Sequence, residues 1–93
     1  MNSQEQTRRL VLIERLGEFI PSLEGRVYPA DLVGIKVAYK MLSREPNDEL
    51  SLVRHYTTNL RCILRTAELY TLNTESRTLL STAIEMLEDI LGS

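Results

Sequence analysis

His55 and Cys62 are the sole histidine and the sole cysteine of this 93-residue chain, the residue types most often asked to attack a carbon, pass a proton or hold a metal. Seven positions apart on one helix, they stand two turns or ~10 Å from each other. That separation is too large for ligating one ion, or for a thiolate–imidazole pair, which needs hydrogen-bond contact. A zinc site needs more nitrogen or sulfur ligands than the chain contains, and a hard cation needs carboxylates gathered in an organised loop. No serine stands in a nucleophile-elbow setting, and the four glycines form no phosphate-cradling loop. The sequence therefore predicts a non-enzymatic protein with no catalytic, cofactor-binding or metal residues, and it puts His55 on the flank of a helix.

Charge is the second chemistry on offer. Arg54, Arg61 and Arg65 fall within about 40° of one another at ~100° per residue, with Thr58 and Glu68 beside them. They make a ridge suited to an acidic protein or, less well, to a phosphate backbone. Glu85, Glu88 and Asp89 close the last helix, where negative charge opposes the helix dipole and Glu85 repels Asp89 one turn on. Either Arg54 or a lysine of a neighbouring helix neutralises them, or a partner does. Places where a sequence breaks a local rule are where function tends to reside. The expected partner-binding residues are thus Arg54, Arg61, Arg65, Glu85, Glu88 and Asp89, and the expected partner is another protein. Arg8 and Arg9 could extend the ridge. A formal net charge of −2 supplies no field to gather nucleic acid, and no DNA-reading motif is present.

These side chains need rigid carriers, and hydrophobic spacing supplies them. Val53, Tyr56, Leu60, Ile63, Ala67 and Tyr70 recur at steps of three, four, three, four, three, the mark of a long helix with one buried seam. This third helix starts at a cap on Asn47 or Asp48, after the Pro46 break, and runs to about Leu72. A first helix runs from a Ser3–Gln6 capping box to Ile20, with Leu12, Ile13, Leu16, Phe19 and Ile20 as its core face, and Pro21 ends it. In the connector, Gly25 supplies a turn while Leu23 and Val27 tuck inward. The second helix begins at Pro29, with Asp31 near its positive end, and reaches Leu42 or Ser43. A break at Asn73-Thr74-Glu75 precedes a fourth helix ending at Leu91, with Gly92 as its cap. Short connections force antiparallel neighbours. The predicted fold is all-α, a single domain over 1–93 built as an antiparallel up-down four-helix bundle with helix three the longest.

In architecture alone, a histidine midway along such a bundle resembles histidine phosphotransfer domains, which place a lysine three residues and a glycine four residues after the phosphorylated histidine. Thr58 and Asn59 occupy those places here, so no phosphotransfer function is carried over.

The apolar arc of helix two spans more than half its circumference, from Ala30 through Val33, Ile35, Val37 and Met41 to Leu42. Such a helix buries two sides. Ala30, Gly34 and Ala38 recur every four residues, and Tyr56 and Tyr70 lie on the long third helix; together these five are the expected interface of a homodimer. One cysteine, expected to be buried, and no signal-like or spanning segment point to a reducing compartment, the cytoplasm, and away from membranes. The functional expectation is a small regulatory or adaptor protein that binds another protein stoichiometrically. The alternatives are a nucleic-acid-associated regulator using the arginine ridge and a structural subunit of a larger assembly.

Overall fold

A computed structural model describes residues 3–44 and 50–92. They form four helices, α1 (Ser3–Phe19), α2 (Pro29–Arg44), α3 (Leu50–Tyr70) and α4 (Thr74–Gly92), of 17, 16, 21 and 19 residues, with a 3-10 turn at Ile20–Leu23. There is no strand among the described residues. Each helix packs against two others: α1 and α3 each meet α2 and α4. The result is a rod of 42 × 19 × 19 Å. The Pro46 break, the Asn47 or Asp48 cap and the side chain of Ser3 lie outside what is described.

Local chemistry sets the helix ends. Pro21 has no N–H to continue an α-helical ladder, so α1 stops at Phe19 and the chain tightens into the 3-10 turn, one residue short of the expected end. That tightening drives Ile20 and Leu23 into the core. Glu24 N–H then donates to Pro21 O at 3.2 Å and Arg26 N–H to Leu23 O at 3.0 Å. Between them Gly25 takes φ +75°, a left-handed conformation that side chains with a Cβ disfavour. The last break also shifts. Asn73 Oδ1 accepts from Ser76 N–H at 3.0 Å, so Asn73 is the N-cap, Thr74 and Glu75 already belong to α4, and the gap falls at 71–73. The helix before it ends at Tyr70 rather than Leu72.

The core rests on Leu16, Leu23, Ile35, Leu42, Leu60, Leu80 and Leu87, all 0% exposed. On α3 the buried row is Val53, Thr57, Leu60, Leu64 and Ala67. The expected seam is therefore rotated: Tyr56 and Ile63 sit at the edge of the core, and Tyr70 is 68% exposed. Thr57 explains the difference. Its hydroxyl donates to Val53 O at 2.6 Å, and a polar group satisfied within its own helix can enter an apolar core. The rotation turns Cys62 outward, so the thiol expected to be buried is exposed.

Arg9 corrects a second expectation. It continues the stripe Arg9, Ile13, Leu16, Ile20 at steps of four, three, four, and is 1% exposed, so its guanidinium is enclosed along with its stem. It is therefore not part of a surface patch. The α1–α2 contact rests on Gly17, where a Cβ would overlap Tyr39 Oη and lie 2.6 Å from Tyr39 Cζ. The missing side chain lets the Tyr39 ring reach the α1 backbone, and its hydroxyl donates to Ile13 O at 2.9 Å. Burial, reinforced by Glu14 and Glu18, pushes the Tyr39 hydroxyl pKa up.

Candidate binding surface

The arginines expected to form a ridge stand on the solvent side of α3, with Arg54 and Arg65 exposed and Arg61 half-buried. Packing of Thr57 and Leu64 in the buried row fixes this orientation, since 54, 61 and 65 lie on the flank of α3 that adjoins α4, with Arg61 one turn from each of those two residues. The acids at the end of α4 come to the same side. Arg65 Nη2 meets Glu88 Oε1 at 3.2 Å, and Ser81 donates its hydroxyl to Glu68 Oε2 at 2.7 Å. The cation that answers the α4 acids is therefore Arg65, where Arg54 or a lysine was expected. At 57% and 48% side-chain exposure this pair adds little stability. Glu85 and Asp89 are exposed.

The five residues expected at a dimer interface do not lie on one open patch. Ala30 and Tyr70 are exposed, Gly34 and Tyr56 are half-buried, and Ala38 is in the core. Gly34 faces α3, where a Cβ would lie 3.9 Å from Ile63 Cγ2. Part of the small-residue row thus serves the approach of α2 to α3 within one chain. The His55 ring stands edge-on to Tyr56, with centroids 5.3 Å apart at 70°. Among the described residues no three His, Cys, Asp or Glu side chains are grouped to hold a metal ion. No helix among them is long and apolar enough to cross a membrane.

Three surface features escaped the sequence. On α2, Val33, Val37 and Met41 are 62%, 57% and 37% exposed, one turn apart along one side of the helix. The wide apolar arc signalled them without saying which half the core would take. Along α3, Cys62 lines three shallow depressions: one of about 260 Å³ toward Asp31 and Ile63, one of about 500 Å³ toward Arg54 and His55, and one of about 200 Å³ toward Arg65 and Leu69. At the end of the rod, a cleft of about 310 Å³ lies between the α1–α2 connector and the α3–α4 turn. Tyr28, Tyr70 and Leu72 flank it, and an Arg26–Glu75 ion pair joins the connector to α4.

Charge is divided among the helices. α2 carries Lys36, Lys40 and Arg44 against Asp31, and α3 carries Arg54, Arg61 and Arg65 against Glu68. α4 has Arg77 against Glu75, Glu85, Glu88 and Asp89. The Lys36 ammonium, 2.8 Å from Glu24 Oε1, holds the Glu24 carboxyl below its usual range by hydrogen bond and charge. No protein-family model, no curated protein and no solved structure matches this chain.

Proposed function

We propose that this chain is a cytoplasmic, non-enzymatic regulatory or adaptor protein that acts by binding another protein stoichiometrically through the arginine face of α3. The observation that carries this reading is the partition of charge. Two adjacent helices each present three cations against one acid, while α4 presents four acids against one cation. An uneven allotment of charge among helices in a chain of net charge −2 serves recognition and steering more than stability.

The reading takes the helices as an up-down-up-down antiparallel bundle with α3 its longest rod. Paired contacts support that order. Position 65 meets 88 while 68 meets 81, so numbers fall along α4 as they rise along α3. Tyr39 meets Ile13 while Lys36 meets Glu24, which gives the same relation for α2 and the chain before it. A rigid rod with cations at positions 54, 61 and 65 offers a pre-ordered surface, which lowers the entropic cost of association.

The test is an affinity pull-down from the native host with the chain as bait and Arg61→Glu/Arg65→Glu as the control. The expected result is one protein retained in stoichiometric amount by the unaltered chain and lost with the double variant. Identical recoveries from the two baits would remove the arginine face from the function.

A further inference from the structure

A column of cations and a column of acids stand side by side where α3 meets α4. The cations are Arg54, Arg61 and Arg65 on the flank of α3 that adjoins α4, and the acids are Glu85, Glu88 and Asp89 in the last turns of α4. One ion pair, Arg65 with Glu88, crosses between the columns. Arg54, Arg61, Glu85 and Asp89 join no ion pair among the described residues. Arg65 stands level with Glu88 and Glu68 with Ser81, so the turns that carry Arg61 and Arg65 share their height on the rod with the turns that carry the acids.

Two such columns at one height are complementary to a second copy of themselves. A two-fold axis parallel to the rod and in the contact plane lays α3 of one copy on α4 of the other with heights unchanged, so cations meet acids in two equivalent places. An axis across the rod instead lays α3 on α3 and α4 on α4, where Glu68 is the one acid and Arg77 the one cation available. We infer that the α3–α4 face is the interface of a homodimer whose copies run parallel, with Arg61 and Arg65 of each copy facing Glu85, Glu88 and Asp89 of the other. The inference rests on the arginine face of α3 being a protein-binding surface, as proposed above, and names its occupant. An acidic partner wider than one helix would run from the arginines onto the α4 acids, whereas a second copy presents both signs in the matching order. The area agrees, since one side of the rod, 42 × 19 Å, matches the about 800 Å² that each partner gives to a standard interface. Leu69, 80% exposed beside Arg61 and Arg65, adds an apolar contact. Ion pairs this near solvent each contribute little, so the association is weak and sensitive to salt.

Sedimentation equilibrium of the full chain at about 100 μM, in about 50 mM and about 300 mM salt, reads the assembly. The parent is expected to be dimeric in low salt and to shift toward monomer in high salt. Two variants reverse one column each: Arg61→Glu/Arg65→Glu and Glu85→Lys/Asp89→Lys. Alone, each should weaken self-association by about tenfold or more, because like charges then oppose one another. Mixed in equal amounts they should pair, since the two altered columns attract each other and so do the two unaltered ones. Recovery on mixing excludes misfolding as the cause of the loss. Lysines in the last turns of α4 suit the helix dipole, so Glu85→Lys/Asp89→Lys should melt no lower than the parent. Lys40→Glu/Arg44→Glu makes the same change of net charge as the arginine variant, but on α2, and should leave the dimer intact.

A parent that is monomeric in low salt, a dimer that survives either column reversal or is lost with the α2 variant, or reversed chains that stay monomeric when mixed would each overturn the inference. Its failure is distinct from failure of the broader reading. A native protein retained by the parent and lost with Arg61→Glu/Arg65→Glu, from a chain that is monomeric alone, would overturn the dimer while leaving stoichiometric protein binding in place.

Discussion

Gly17 is the position where one added methyl group meets the most opposition. In an isolated helix, alanine is better than glycine by about 1 kcal/mol, because it loses less backbone entropy. Here its Cβ would overlap Tyr39 Oη, and moving the ring aside would stretch the hydrogen bond to Ile13 O. Forcing extra atoms into a packed site costs about 1–3 kcal/mol, so the steric cost exceeds the propensity gain. Gly17→Ala is therefore expected to lower stability by up to about 2 kcal/mol in the parent chain. In a Tyr39→Ala background the obstruction is gone, and the same change should raise stability by up to about 1 kcal/mol. Thermal unfolding of the four chains followed by circular dichroism measures both signs. The same sign in both backgrounds would mean that the two residues do not oppose each other.

At the scale of the elements, most of the chain's organisation can be read from residue types, and the part that cannot has an identifiable cause. Proline and glycine act through the backbone alone, so Pro21, Gly25 and Pro29 mark the α1–α2 connection without knowledge of any neighbour. The phase of a buried face is different, because it depends on what packs against it. On α3 two candidate rows differ by one flank: Tyr56 and Ile63, or Thr57 and Leu64. Hydropathy favours the first, and the hydrogen bond from Thr57 to Val53, invisible to a polarity scale, permits the second. The same limit applied to α2, whose arc was legible but whose buried half was decided by α3 and by the Tyr39 contact with α1. The two rows make opposite predictions. Leu64→Ala should cost about 2–5 kcal/mol, as full burial implies, and Ile63→Ala distinctly less. Thr57→Val, similar in shape and with no hydroxyl to satisfy, should stay within about 1 kcal/mol of the parent. Denaturant midpoints rank the three, and a costlier Ile63→Ala would restore the original phase.

At the scale of the whole molecule, the question is which kind of partner the divided charge selects. The rod is 19 Å across, while the screening length is about 10 Å at 0.1 M salt. A small protein surface lying along the arginine flank of α3 thus feels mainly the charges it touches. A nucleic-acid duplex is wider than the rod and approaches as a polyanion, so at low salt it also meets the field of Glu85, Glu88 and Asp89, of which only Glu88 has an arginine beside it. Lowering salt, which strengthens phosphate binding by a uniformly basic protein, here strengthens repulsion from α4 as well. A gel-shift titration with duplex DNA and with single-stranded RNA, at salt from about 20 to about 200 mM, is expected to show no retarded band at micromolar protein. A band that fades steeply as salt rises, and that Arg54→Glu or Arg61→Glu/Arg65→Glu removes, would transfer the arginine ridge from protein recognition to phosphate recognition. The difference between these outcomes lies in geometry rather than in the number of arginines. Three cations on one flank of α3 match an acidic protein surface about 10 Å wide, but do not outweigh an acidic flank within reach of a much larger polyanion.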